Sequence, residues 1–344
     1  IYGVSSSLKI RFWCFGRWLN SLLLVAIAFG LTGACYDKFS QPASTSYSPI
    51  ASECRTVKHA MGESCVPINP QRIIVLDTSP LDAVLTLGVK PIGATEFDGL
   101  KQIDVYPKEQ TEEIAAIGGD LQPNLEKIAL LKPDLILSPQ FNVKGIYDRL
   151  SQIAPTVVAA SGNAAESNFW KDRWKEDLKI YADALNKTEA AEQLLHNYHQ
   201  RIAEFQQKMS EKLKETEVSI IATISYGSGR PAAIYLRGSF MGSVVEEAGL
   251  PRPTTQTEDG FTVYVSIEKL DSIEGDVMCV VTPKPEESTL TQLKQNPLWS
   301  LLNVVKQGRV YNVHYATWVA QRNIGGANRI LDDLFRYLVE EKTQ

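Results

Sequence analysis

Side chains able to ligate a metal or attack a bond are few in this 344-residue sequence, and their spacing narrows what they can do. Of the four histidines, His196 and His199 stand at i and i+3 on one helical stretch. Such a pair can hold zinc only with further ligands, and none stands nearby, so it reads as a solvated pair. No G-x-S-x-G elbow, H-E-x-x-H or phosphate loop occurs, which leaves no marked nucleophile, zinc-hydrolase or nucleotide chemistry. Paired carboxylates acting on glycosides fit any chain with 40 acidic residues, so an exported hydrolase stays as the alternative class. The cysteines sort by context. Cys54 and Cys65 flank a short polar stretch and are expected to form a disulfide, with two free thiols as the alternative. Cys279, inside the apolar run Val277–Val281, is expected to be a buried, inert residue.

Cys35 has a different setting. Residues 1–34 carry Lys9, Arg11 and Arg17, no acid, and the apolar stretch Leu22–Leu31, which is shorter than the roughly 20 residues of a membrane span. The segment ends Leu31-Thr-Gly-Ala-Cys35 and resembles a bacterial lipoprotein box, with Cys35 as the lipid-bearing first residue. An ordinary signal peptide cut nearby or an uncleaved anchor are the alternatives, and each of these exports the chain. Residues 35–53 then read as a flexible tether. Without residues 1–34, 32 basic residues face 40 acidic ones, a net charge of −8. That balance argues against nucleic acid or an anionic membrane surface as partner.

The elements that must position any site follow an α/β pattern. Ile73–Leu76, Pro91–Ala94, Leu135–Leu137 and Thr156–Ala159 read as short buried strands, and Ser79–Leu87, Asn124–Leu131 and Gly145–Ile153 as helices between them. Residues 166–214 lack Pro and Gly and keep a helical apolar period, with Asn186 marking a break. The second part, about 26 residues, would run about 39 Å, long enough to cross a whole domain. Beyond it, Val218–Ile224, Ala233–Leu236, Val277–Val281 and Val310–Val313 are strand-like, while Met241–Ala248, Ile267–Leu270 and Gly326–Val339 are helical. The order Asn124-Leu-Glu126, Asp134 and a buried strand is echoed by Ser266-Ile-Glu268, Asp276 and another. The chain therefore divides into 1–34 (signal), 35–53 (tether), 54–165 (N-terminal lobe), 166–214 (helical segment) and 215–344 (C-terminal lobe), with a ligand cleft between the lobes.

Several segments, in this order, carry a family resemblance. They are His59-Ala-Met-Gly-Glu, Asn69-Pro-Gln-Arg-Ile, Pro123-Asn-Leu-Glu-Lys-Ile, Leu131-Lys-Pro-Asp-Leu-Ile-Leu, Pro297-Leu-Trp, Gly308-Arg-Val-Tyr and Gly325-Gly-Ala-Asn-Arg-Ile-Leu. Over about residues 54–342 the chain resembles the iron–siderophore and corrinoid binding proteins of ABC importers, the helical-backbone metal receptors or class III binding proteins. The resemblance implies two Rossmann-like lobes, each a mostly parallel sheet with flanking helices, bridged by one long helix. It also implies a ferric siderophore as cargo, no cofactor of the protein's own, and a monomer that docks on a dimeric ABC permease and meets the membrane through its lipid alone. A corrinoid or haem cargo is the alternative, although no Cys, His or Met can be placed for haem ligation.

In corrinoid-binding relatives one glutamate per lobe docks on permease arginines, and Glu126 and Glu268 fall at that motif. For the cargo, iron arrives wrapped in siderophore oxygens, so the cleft needs aromatic area and cations and no metal ligand. Residues just beyond strand ends are the candidates: Thr78, Phe141, Tyr226, Arg237, Trp318 and Arg322, with Tyr264 beside them. Trp318 matches a cleft tryptophan of hydroxamate-binding relatives, and Phe141 stands where they have a tyrosine. Arg237 and Arg322 point to a cargo with negative charge, such as a citrate-based siderophore.

Overall fold

The computed structural model describes residues 53–96, 106–160, 173–223, 232–282 and 288–340. The expected leader, Cys35, the tether as far as residue 52, and Tyr226 lie outside them. Among the described residues no helix is long and apolar enough to cross a membrane.

An antiparallel hairpin comes first, β1 (Cys54–His59) and β2 (Gly62–Pro67). Its turn uses Gly62 at a φ of 130°, a conformation that glycine adopts without steric cost. Cys54 and Cys65 are bonded across the two strands with Cα atoms 5.4 Å apart, so the expected disulfide staples a hairpin formed by the polar stretch between them. The hairpin is tied to the first sheet by Ala60 N–H donating to the Val158 carbonyl and the Ser64 hydroxyl donating to that of Thr156, both at 2.9 Å.

That sheet holds β3 (Ile73–Val75), β4 (Gly93–Glu96), β5 (Ala115–Gly119), β6 (Gln122–Pro123), β7 (Leu135–Pro139) and β8 (Thr156–Ala159), in the order β6-β5-β4-β3-β7-β8. All of its pairings are parallel except β5 with β6. The second sheet holds β9 (Val218–Ala222), β10 (Ala232–Tyr235), β11 (Thr262–Val265), β12 (Val277–Thr282) and β13 (Val310–His314), in the order β11-β10-β9-β12-β13. Here β9, β12 and β13 are parallel, while β10 runs against both neighbours. In each sheet the chain builds one side of the first strand and then returns to the other. This places a topological switch point between β3 and β7, and another between β9 and β12.

The helices that matter for the site are α1 (Thr78–Thr86), α2 (Leu125–Leu130), α3 (Arg173–Ala184), α4 (Thr188–Met209), α5 (Phe240–Glu247) and α6 (Ile324–Leu334). The break between α3 and α4 falls at Asn186, whose φ of 56° ends the first helix as its residue type suggested. With 22 residues, α4 spans about 33 Å, somewhat shorter than expected because the stretch after Met209 tightens into a 3-10 turn, Ser210–Lys214. Its buried stripe is Ala191, Leu195, Tyr198, Ile202, Phe205 and Met209, the alternating four and three spacing of one helical face. The Glu247 carboxylate at the end of α5 receives Lys175, the Tyr198 hydroxyl at 3.0 Å and His199 at 3.4 Å. His199 is thus engaged by a carboxylate, a contact the sequence did not reveal.

Strand residues alternate between two environments, as a period of two dictates. Ile73, Val75, Leu135 and Leu137 of the first sheet join Val218, Ile220, Cys279 and Val281 of the second in one continuous core with α1, α3, α4, α5 and α6. The other faces carry separate cores. Ile74, Leu76 and Ile136 pack on Ile128 of α2, Val143 and Leu150. Ile221, Met278 and Val280 pack on Leu270, Ile273 and Trp299. The lobes therefore share an inner core and keep their outer faces to themselves. Within it, burial pushes the Cys279 thiol up to about 12, which keeps it protonated and unreactive.

Replacing both Cys54 and Cys65 by Ser is expected to lower unfolding free energy by about 2–3 kcal/mol, through the lost loop constraint. Urea unfolding of the two proteins under oxidising conditions measures this, and the difference should vanish when the parent is reduced.

Candidate functional site: the cleft between the lobes

The two lobes meet where strand ends converge. Asp77 follows β3 and caps α1, accepting the Ser79 N–H at 2.8 Å through Oδ1. Arg322 lies beyond β13 and the helical turn Ala316–Ala320, just ahead of α6. Arg322 Nη2 donates to both Asp77 carboxylate oxygens, at 2.7 and 2.8 Å, and the Asp77 side chain is 1% exposed. Burial pulls the Arg322 pKa down, but Asp77, with Asp120 and Tyr315 also facing it, more than reverses this and the guanidinium stays charged. Asp120 follows β5 and accepts the Thr95 hydroxyl of β4 at 2.5 Å. The carboxyl ends of β3, β4 and β5 in one lobe and β13 in the other are thus gathered around a single guanidinium.

Further contacts hold this closure. Asn323 caps α6 and donates to Ser79 Oγ at 3.4 Å and the Trp174 carbonyl at 3.3 Å. Gly326 N–H donates to Asp82 Oδ2 at 3.0 Å, and the Tyr106 hydroxyl to Oδ1 at 2.7 Å. Burial raises the Asp82 carboxyl, and these two hydrogen bonds work against the shift. Gly325 and Gly326 are needed for this approach, since a Cβ on the first would strike Asp82 and on the second the Gln321 carbonyl. The Gly-Gly-Ala-Asn signature is therefore the place where the last helix packs on the first.

The expected ligand residues separate under this geometry. Phe141, 40% exposed in a short helix after β7, stays available at the carboxyl edge. Tyr264 of β11 is half-buried and packs towards the inner core. Thr78 is buried beside Asp77, its hydroxyl 3.3 Å from Oδ1. Three expectations need correction. Trp318 is fully buried, its indole N–H donating to Asp333 Oδ2 at 2.8 Å, so it packs the core under the cleft and offers no surface to a ligand. Arg322 is committed to Asp77 and is no free cation for a cargo. Arg237 follows β10, which runs antiparallel to β9, so it sits at the opposite edge of the sheet, 3.2 Å from Glu246. Asp77 was missed, although an Asp between an apolar strand and a Ser-Pro helix start is a recognisable cap.

The internal echo is structural. Asp134 accepts the N–H groups of Gln71 and Arg72 at 2.7 and 2.8 Å, just before β3, and Asp276 accepts that of Glu217 at 2.8 Å, just before β9. Each aspartate pins the entry of its sheet's first strand. Each glutamate opens the helical turn ahead of it: Glu126 at the start of α2 behind the Asn124 cap, and Glu268 at the start of Ile267–Ile273 behind Ser266. Both turns cover outer faces, so Glu126 and Glu268 occupy equivalent positions on the two lobes. A hydrogen bond from Ser266, then one from its own backbone, holds the Glu268 carboxyl below its usual range.

Two switch-point sheets sharing one inner core and joined by a buried ion pair, with one helix carrying the chain between them, define a two-lobed solute receptor of the bridge-helix class. Residues 73–316 match the model of the periplasmic binding protein family, and the chain belongs to that family. It is 33% identical over 340 residues to a probable siderophore-binding lipoprotein of Bacillus subtilis, YfiY, covering 94% of this chain and 99% of that protein. It is 27% identical to the Fe(3+) dicitrate-binding periplasmic protein FecB of Escherichia coli, over 81% of this chain and 88% of the other. Among solved structures it matches Staphylococcus aureus SirA complexed with staphyloferrin B, with a TM-score of 0.68 and 26% identity over 83% of this chain and 98% of that one.

Arg322→Met alone leaves a buried, uncompensated Asp77 and is expected to cost about 3–5 kcal/mol. Combining it with Asp77→Asn should cost clearly less than the two single changes added together, as a double-mutant cycle in denaturant reads directly. Additive costs would show that the pair carries no energy between the lobes.

Proposed function

We propose that this protein captures a ferric siderophore, citrate-based or hydroxamate in type, and delivers it as a monomer to a dimeric ABC permease. It works on the extracytoplasmic face of the bacterial cytoplasmic membrane, held there by a lipid on Cys35, and it hands over its cargo without chemical turnover. The observation that carries the reading is the Asp77–Arg322 clasp, which joins the lobes at the carboxyl end of β3, beside the first sheet's switch point, the kind of place where open α/β sheets bind ligands. Family membership and relatives whose names give siderophore, ferric citrate or staphyloferrin B as ligand support it. Phe141 supplies exposed aromatic area at the rim for an organic iron shell.

Titration with ferric citrate, ferric schizokinen and a ferric trihydroxamate, followed by tryptophan fluorescence, tests this. Saturable one-to-one quenching by at least one complex is expected, with Phe141→Ala weakening it several-fold and Arg237→Gln leaving it within about twofold. No saturation by any of the three, with tight binding of a corrinoid instead, would move the cargo to another class.

Delivery rests on the equivalent placement of Glu126 and Glu268, one per lobe, as a two-fold permease with basic pockets requires. Glu126→Ala with Glu268→Ala is expected to abolish uptake of radiolabelled iron complex by cells while leaving affinity in solution within about twofold. Loss of solution affinity would instead assign these glutamates to the cleft.

A further inference from the structure

The equivalence of the two glutamates is not complete. Glu268 stands on a turn where Ser266 already holds its carboxyl. Glu126 lines a concavity of about 660 Å3 between α2 and the helical stretch that follows β7. Across that concavity stands Arg149, exposed on the helix Tyr147–Ser151. No ion pair joins Glu126 and Arg149, and neither has a charged partner among the described residues. Leu121, at the lip, is 77% exposed. Asn142 also lines the cavity; it is 8% exposed, and its Oδ1 has no partner among the described residues. Ile128, Val143 and Leu150 of the flanking segments pack on the outer face of the first sheet, while Asn142 at the cavity wall donates to Asp77 Oδ2 at 3.2 Å, so the cavity reaches the edge of the clasp.

From this we infer that the N-terminal lobe meets the permease through a two-charge socket formed by Glu126 and Arg149. The fitting partner is a permease loop that presents a guanidinium to Glu126 and a carboxylate to Arg149, with an apolar residue against Leu121. Two opposite charges on one concave wall fix the direction in which such a loop can lie, because reversing it sets like charges together. A single glutamate in a first helical turn, as at Glu268, imposes no direction. The socket thus fixes the orientation in which the N-terminal lobe meets the permease half that it contacts. The inference rests on the docking reading of Glu126.

Cells expressing the full chain with Arg149→Glu, Arg149→Lys, Arg149→Gln or Glu126→Ala are compared for uptake of the 55Fe complex that quenches the purified protein. Arg149→Glu is expected to cut uptake by about tenfold or more, Arg149→Gln by less, and Arg149→Lys to retain at least about half. Solution affinity should stay within about twofold in all of them. If Arg149→Glu fails to accumulate, Arg149→Gln decides: reduced uptake at parental affinity supports the socket, and parental uptake overturns it. Impaired uptake by Glu126→Ala with normal uptake by the Arg149 variants overturns the socket and keeps the docking glutamate. Normal uptake by Glu126→Ala overturns the docking reading itself. A loss of solution affinity in Arg149→Glu overturns the proposal by placing Arg149 at the ligand.

Discussion

A carboxylate at the end of β3 holds this molecule in register. Asp77 takes an uncommon φ of 125°, a strained conformation for a residue with a side chain, and persists because its surroundings over-determine it. Its two oxygens accept from the Ser79 amide, the Thr78 hydroxyl, Asn142 and, twice, Arg322. A buried guanidinium and a buried carboxylate are each costly alone, so neither lobe has a satisfactory core without the other. The cap of α1, the carboxyl end of β3 and the approach to α6 all meet at this one pair.

The shared inner core extends the same constraint. Because Ile73 and Val75 belong to one packed cluster with Ile220 and Val281, wide opening of the lobes would expose apolar area on both. Recognition in such a frame falls to side chains and loops at the rim, with the bridge helix and the clasp fixing the distance between the walls. The described floor is not a basic surface: Arg322 faces Asp77 and Asp120 there and is spent on holding the lobes.

Much of this was legible in the residues. The Glu-to-Asp echo works because one short motif performs one mechanical task twice, with Asp134 and Asp276 pinning first strands. The break at Asn186 and the stripe along α4 follow from left-handed tolerance and helical period. What failed did so for identifiable reasons. An apolar run such as Ala232–Tyr235 has the same pattern in either direction, so the reversal of β10, and with it the place of Arg237, was invisible. Trp318 and Arg322 each have a partner distant in sequence or across a turn, Asp77 and Asp333, and no spacing rule announces such pairs. The charge of Arg322 was read correctly, but its recipient was not.

The clasp joins residues 245 positions apart, and α6 is the last α-helix in chain order among the described residues. Contacts of such high sequence separation come late, because loop closure must be paid for before they return any free energy. The inner core cannot be completed by the first half of the chain, whose α1 face lacks its cover until the C-terminal helix is present. The pairing of α1 with α6 thus delays completion of the inner core until both helices are available.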